Sequence, residues 1–121
     1  MTNDSATVTI AVDIKRNRIR LHRKMLYMLD RPKYVQLLVN PETRNIAIRA
    51  IAKPKPEDQA EKILSYKLST DIEFYSQSFI KKLCELIGDL DSKHIYRFTG
   101  KVIPKQNIAV FSLDTVTCVE P

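Results

Sequence analysis

The sequence has few glycines, few cysteines and no long apolar run, and each shortage excludes a class of protein. Gly88 and Gly100 are its two glycines, so a glycine-rich phosphate-binding loop is excluded. Cys84 and Cys118 lie far apart among apolar neighbours, which predicts free thiols in a reducing compartment, with a single disulfide as the alternative. No apolar segment approaches the roughly 20 residues that cross a bilayer, and the first residues do not resemble a secretory signal. We therefore expect a soluble, cytoplasmic protein without a membrane segment.

Residues that carry catalysis or bind metals are also scarce. His22 and His94 have no Cys, Asp or Glu at a metal-ligand spacing. Asp89 and Asp91 fit a loop at a helix end better than a pair of acid and base groups. We therefore predict a protein that is not an enzyme and that has no metal, no other cofactor and no evident small-molecule substrate.

What the sequence does contain is a concentrated positive charge. The 121 residues carry a formal net charge of +6 at pH 7. Residues 1–60 hold 12 Lys and Arg against 6 Asp and Glu, whereas residues 61–121 hold 8 of each kind. Within ten residues that include no acid lie Lys15, Arg16, Arg18, Arg20, Arg23 and Lys24. A positive field on one segment suits an anionic partner such as nucleic acid.

The hydrophobic pattern predicts short strands and two helices. Apolar residues at every second position predict strands over 7–14, 34–39, 46–51, 95–102 and 107–113, with a further candidate over 116–119. Helical spacing of apolar residues predicts one helix over about 23–30 and a longer one over about 76–88. Asn17 suits a turn that needs a positive φ, and Gly88 suits a helix C-terminus.

The two halves of the chain resemble each other. The segment IRLHRKML (19–26) aligns with IEFYSQSF (72–79), and PETRNIAI (41–48) aligns with PKQNIAV (104–110), in the same order. We therefore predict an α+β fold in which two pseudo-symmetric repeats, each a strand, a helix and a β-hairpin, form one compact domain over 1–121. The first repeat covers 7–52, a proline-rich linker covers 53–62, and the second repeat covers 63–119.

The basic stretch has a spacing that suits binding. If residues 16–20 are extended, Arg16, Arg18 and Arg20 project from one face about 6 to 7 Å apart. Arg23 and Lys24 would follow at the start of the first helix, where free N–H groups also favour phosphate. Guanidinium groups bind phosphate or the guanine edge in pairs of hydrogen bonds. The alternative is an edge strand that carries charge to prevent pairing with another chain.

The segments VDIKRNRIRLHRKMLYML (12–29) and YVQLLVNPETRNIAIRAI (34–51) resemble the AbrB-like swapped-hairpin family of DNA-binding domains, and the duplication is similar to MraZ-like proteins with two such units. The family has a glycine where Asn17 stands and a proline where His22 stands. The resemblance implies a small bacterial or phage transcription regulator that binds double-stranded DNA as a homodimer. It implies that Arg16 and Arg18 contact DNA from the turn, flanked by Arg20, Arg23 and Lys24.

Three alternatives stay open at this point. The order of elements also resembles one domain of a sliding clamp, in which helices face DNA, and the saddle of a TATA-binding-protein-like domain. A non-enzymatic adaptor, whose basic strip docks an acidic protein, is the third.

Overall fold

Alternating apolar and polar residues form nine strands in the computed structural model, which describes residues 7–58, 60–63, 71–88 and 90–119. The strands are β1 (Thr7–Asp13), β2 (Arg18–Leu21), β3 (Tyr34–Asn40), β4 (Asn45–Ile51), β5 (Glu61–Lys62), β6 (Ile72–Tyr75), β7 (Ile95–Ile103), β8 (Ile108–Ser112) and β9 (Thr117–Val119). The helices are α1 (Arg23–Met28) and α2 (Gln77–Ile87). Single turns of 3-10 helix lie at Pro56–Asp58, Pro104–Gln106 and Leu113–Thr115.

All pairings between the strands are antiparallel, and they join the strands into one sheet. Its order is β5-β3-β4-β8-β7-β1-β2-β6, with β9 beside β7. The sheet curls into a nearly closed barrel. Helix α2 follows β6 at one end of this order and packs against β3 near the other end. Closing a sheet in this way leaves fewer unpaired strand edges.

The predicted α+β fold of two strand-helix-hairpin repeats is wrong. Strands occupy 46% of the described residues, and the two helices are short. The physical reason lies in the pairing of distant strands. β2 pairs with β6, β4 with β8, and β1 with β7, so strands from the two halves of the chain are hydrogen-bonded to each other within one sheet. The hydrophobic pattern of each segment does not reveal such partners, because it records burial and not the neighbour.

The core fills the inside of the barrel. Every second residue of each long strand points inward, and the fully buried members include Ile10, Val12, Ile19, Leu21, Ile46, Ile48, Phe98 and Phe111. Helix α1 adds Met25 and Leu26, and α2 adds Phe79, Ile80 and Leu83. The polar residues between them therefore form the outer face of the sheet.

Several local predictions are confirmed. Asn17 has φ 53 in the turn between β1 and β2. Gly88 has φ 91 directly after α2, and the side chain of Ser76 caps the start of that helix by accepting a bond of 3.2 Å from the Phe79 N–H. Helix α1 ends at Met28, two residues earlier than predicted, because Asp30 and Arg31 take left-handed backbone angles.

The predicted linker 53–62 contains the 3-10 turn at Pro56–Asp58 and strand β5. In the sequence, Leu64, Tyr66 and Leu68 also alternate with polar residues, a strand-like pattern, but these residues and Asp89 lie outside the described residues. Neither helix of the described part of the chain has the length and hydropathy of a transmembrane span.

The two thiols are free, as predicted, and they differ in exposure. Cys118 is exposed, whereas Cys84 is partly buried on α2. Burial of the Cys84 thiol, together with the neighbouring Glu85 carboxylate, raises its pKa. Because the thiolate is the reactive form, we expect a disulfide reagent such as dithionitrobenzoate at pH 7.5 to modify Cys118 at least about tenfold faster than Cys84. The slow phase, which is the modification of Cys84, should become faster when the pH is raised to 9. In the variant Cys118→Ser, this slow phase should be the single phase that remains. Two equally fast thiols would contradict this environment for Cys84.

Candidate nucleic-acid interface

Most of the basic residues predicted to bind an anionic partner lie on the outer face of strands β1, β2 and β7 or in the turn beside it. Inward positions of these strands are apolar, so the alternating outward positions carry the charge. We call this surface the basic face, and it comprises Lys15, Arg16, Arg18, Arg20, Arg97 and Lys101, with the carboxylates of Asp13 and Glu73 among them. The cations outnumber the carboxylates, so the surface keeps a net positive charge.

A buried carboxylate holds two of the predicted arginines. The Asp13 side chain is only 6% exposed although it lies on the outer face. Its Oδ2 accepts hydrogen bonds of 3.0 Å from Arg16 Nη1 and 3.1 Å from Arg18 Nη2, and its Oδ1 accepts one of 3.3 Å from the Arg16 backbone N–H. Asp13 and Arg18 are directly opposite each other in the β1–β2 register. The carboxylate therefore fixes both the hairpin turn and the direction of the two guanidinium groups.

A second carboxylate orients the next arginine. Glu73 on β6 lies directly opposite Arg20 on β2. Its Oε2 accepts bonds of 2.9 Å from Arg20 Nε and 2.6 Å from Arg20 Nη2, and it lies 3.8 Å from Arg18 Nη1. The Arg20 side chain stays 46% exposed, and that of Arg18 is 22% exposed. Arg20 therefore keeps donor groups that face solvent.

Arg18 is fully charged at any physiological pH. Its burial alone would lower its pKa, but hydrogen bonding to Tyr75 and the charges of Glu73 and Asp13 outweigh that effect, so the pKa is raised. Tyr75 lies opposite Arg18 in the β2–β6 register and is 64% exposed. The positive charge of Arg18 is thus independent of pH over the physiological range.

Two basic residues of the face were not predicted. Arg97 lies opposite Ala11, which in turn lies opposite Arg20, so Arg97 and Arg20 flank a small residue in one row of the sheet. Lys101 lies opposite Thr7 on the same side of β7. Arg97 and Lys101 are four residues apart in the sequence, an even spacing that indicates a shared face of a strand. That this face adjoins β1 follows only from the pairing.

The other predicted residues lie at the two ends of β2. Lys15 is exposed in the turn before it, and Arg23 and Lys24 are exposed on α1 after it. His22 precedes the helix without capping it, and its Nδ1 lies 3.6 Å from Asp71 Oδ2. Helix α1 has six residues, so few aligned peptide dipoles add at its start. The structure therefore joins Arg16, Arg18 and Arg20 by shared carboxylates and leaves Arg23 and Lys24 beyond the strand.

The depression found among the described residues of the basic face is too small for a small-molecule ligand. The depression between Ala11, Asp13, Arg18, Arg20 and Ile95 has a volume of about 40 Å³, far below the roughly 300 to 1,000 Å³ of ligand sites. Within the described ranges, no cluster of His, Cys, Asp and Glu could hold a metal ion. A shallow charged surface suits an extended anionic partner.

The chain matches no model of a known protein family, no curated protein and no solved structure.

Proposed function

We propose that this protein binds double-stranded DNA through the basic face, acting as a homodimeric transcription regulator. The observation that supports this proposal best is the row in which Arg97 and Arg20 flank Ala11, with Arg18 two residues before Arg20 on β2 and Arg16 in the adjoining turn. Carboxylates hold the guanidinium groups in place before DNA arrives. Less side-chain entropy is then lost on binding.

The geometry favours a duplex over a single strand. Arginines at every second residue of β2 lie about 6 to 7 Å apart, and the exposed residues Lys15 and Arg16 of the β1–β2 turn extend this charge beyond the end of the strand. Single strands are bound mainly by stacking bases on aromatic rings. Among the described residues of β1, β2, β6 and β7, Tyr75 is the single large aromatic that is strongly exposed.

The test removes two arginines that do not contact the buried Asp13. We expect Arg20→Ala with Arg97→Ala to weaken duplex binding at 100 mM salt by about tenfold to a hundredfold and to reduce the salt slope by roughly 1 to 2, since each phosphate contact contributes roughly 0.9. Fluorescence anisotropy with a labelled 20-base-pair duplex measures both quantities. The mass of the complex by light scattering shows whether two protomers bind.

Arg44→Ala is the matched control. Arg44 is 46% exposed like Arg20 and also pairs with a carboxylate, that of Asp114 at 3.6 Å. It lies in the turn between β3 and β4, strands that do not pair with β1 or β2. An equal loss of affinity in both variants, or no retention of DNA by the parent protein at low salt, would overturn the proposal.

Glu73→Gln should have the opposite effect on binding. The change removes a negative charge from the basic face, while the amide keeps the size of the side chain and an oxygen that can still accept a hydrogen bond from Arg20. We expect affinity for the same duplex to rise about threefold to tenfold, since a like charge facing phosphate is lost. The measurement is a titration at several salt concentrations. An unchanged affinity would place the DNA contact away from β6 and Arg20.

A further inference from the structure

A groove runs between the edge of β3 and helix α2, on a part of the molecule that the basic face does not include. β5 pairs only with Tyr34 and Val35, so the edge of β3 from Gln36 to Asn40 has no strand partner among the described residues. Two adjoining cavities of about 260 and 250 Å³ lie there and share Val39 and Lys82 in their walls. We call this feature the β3–α2 groove.

The backbone of β3 offers hydrogen-bonding groups to the groove. The Ile63 N–H donates to the Lys33 carbonyl across the β3–β5 pair at 2.8 Å. Because backbone groups alternate sides along an antiparallel strand, Leu37 and Val39 direct their N–H and C=O groups to the same side as Lys33. A strand edge with unpaired groups is a template for another extended chain.

The inward side chains at this edge are less covered than their neighbours. Leu37 and Val39 lie opposite Ile48 and Ile46, which are fully buried on β4. Leu37 and Val39 are only partly buried, because the groove opens beside them. An extended chain along β3 would cover these two side chains, and this burial would add apolar stabilisation.

One end of the groove is acidic. Glu57, Asp58 and Glu61 line it, with Lys82 as the opposing cation. The Gln36 Nε2 donates to the Asp58 carbonyl at 2.7 Å, and the buried Gln36 Oε1 has no hydrogen-bond partner among the described residues. A buried acceptor without a partner costs free energy until a donor reaches it. The carboxylates of Glu57, Asp58 and Glu61 therefore favour a cationic side chain at this end.

The other end is mainly apolar. Pro41, Val39 and Leu86 line the second cavity, together with the charged residues Lys82 and Glu85. From Gln36 to Asn40 the edge is five residues long, which corresponds to roughly 17 Å of extended chain. A ligand of about five residues with basic side chains toward Glu57 and an apolar side chain toward Leu86 fits both ends.

We infer that the β3–α2 groove binds an extended basic peptide of a partner protein, which adds to β3 as a further strand. The acidic end selects the partner's lysine or arginine, and the β3 edge binds its backbone. A second copy of this chain fits less well, because the basic segment Arg18–Leu21 is already paired on both sides, with β1 and β6.

The probe is a fluorescein-labelled synthetic peptide, acetyl-Lys-Val-Arg-Val-Arg-Val-amide, titrated with the full chain at 150 mM salt. We expect saturable binding, with amide NMR shifts at Leu37 and Val39. Glu57→Lys with Glu61→Lys should weaken binding at least about tenfold, since two favourable charges become repulsive. Glu57→Lys alone, at an exposed position, is the substitute if the double variant does not fold by circular dichroism.

Two controls separate strand addition from general attraction between charges. Glu42→Lys makes the same change at an exposed turn position outside the groove and should leave affinity within about twofold. The same peptide with N-methyl groups at alternate residues keeps its charge but cannot form the ladder, and it should lose binding.

Equal binding of the methylated peptide, equal weakening by Glu42→Lys, or no binding at all would overturn the inference. So would concentration-dependent protection of the Leu37 and Val39 amides without peptide, since this result would assign the groove to a second copy of the chain. The DNA-binding proposal is tested on other residues and stands or fails separately.

Discussion

Gly100→Ala is expected to lower the free energy of unfolding by about 3 kcal/mol or more, at the upper end of what an added methyl group costs in a packed interior. A Cβ at this position would lie 2.6 and 2.8 Å from ring atoms of Phe111 and closer still to the Val110 carbonyl oxygen. Real Cβ atoms do not approach other atoms so closely, and a backbone oxygen in a sheet cannot rotate away. The chain has no tryptophan, so urea unfolding is best followed by far-ultraviolet circular dichroism.

The position of Gly100 explains why the contact is so close. On one side Gly100 pairs with Val8 of β1, and on the other with Phe111 of β8. Along that second edge, β7 has two partners. It pairs with β9 over Ile95–Arg97 and with β8 over Gly100–Ile103. Gly100 is thus the first residue of β7 that pairs with β8. A residue without a side chain lets the β8 backbone and the Phe111 ring lie directly against β7.

Gly88→Ala is the matched control, since it adds the same methyl group to the other glycine. Gly88 has φ 91, but nothing lies within 4 Å of a Cβ there. We therefore expect a smaller cost of about 1 to 2 kcal/mol from the backbone angle alone. If Gly100→Ala were no more destabilising than Gly88→Ala, the close approach of β8 to β7 would be contradicted.

Local features of this fold could be predicted from the sequence because neighbouring residues determine them. The alternation of Ile10 and Val12 and the left-handed turn at Asn17 required no knowledge of distant residues. The class of fold was mispredicted because the register Ile19↔Phe74 and Ile46↔Phe111 joins the two halves, and apolar residues at these positions fit many partners equally well.

The candidate site shows the same limit. Arg18 and Arg20 were predictable from their spacing, since alternate residues of a strand share a face, whereas Arg16 lies in the turn before β2 and not in the extended chain that its spacing suggested. Their counter-ions were not, because Glu73 lies far away in the sequence and Asp13 reads as one polar position in an apolar strand. Because Asp13 and Glu73 bind these arginines, part of the basic face also stabilises the fold. Arg18 in particular both stabilises the hairpin and carries charge to the surface.

Asp13→Ala is expected to lower the free energy of unfolding by about 2 to 4 kcal/mol, because a buried, charged acceptor with several partners is lost and Arg18 loses its closest counter-ion. Three hydrogen bonds end on this carboxylate, from the Arg16 backbone N–H and from the side chains of Arg16 and Arg18. Asp13→Asn keeps the size of the side chain and an oxygen for the turn. It should therefore cost less than Asp13→Ala.

Asp114→Ala provides the comparison, since it also removes an aspartate that pairs with an arginine. The Asp114 side chain is 77% exposed and lies 3.6 Å from Arg44, so its loss should change stability by no more than about 0.5 kcal/mol. The same urea titration measures all three variants. If Asp13→Ala were as mild as Asp114→Ala, Asp13 would not organise the hairpin, and Arg16 and Arg18 would act as independent surface charges. If the large difference is found, the order of the basic face depends on Asp13, and substitutions of Arg18 will report on folding as well as on binding.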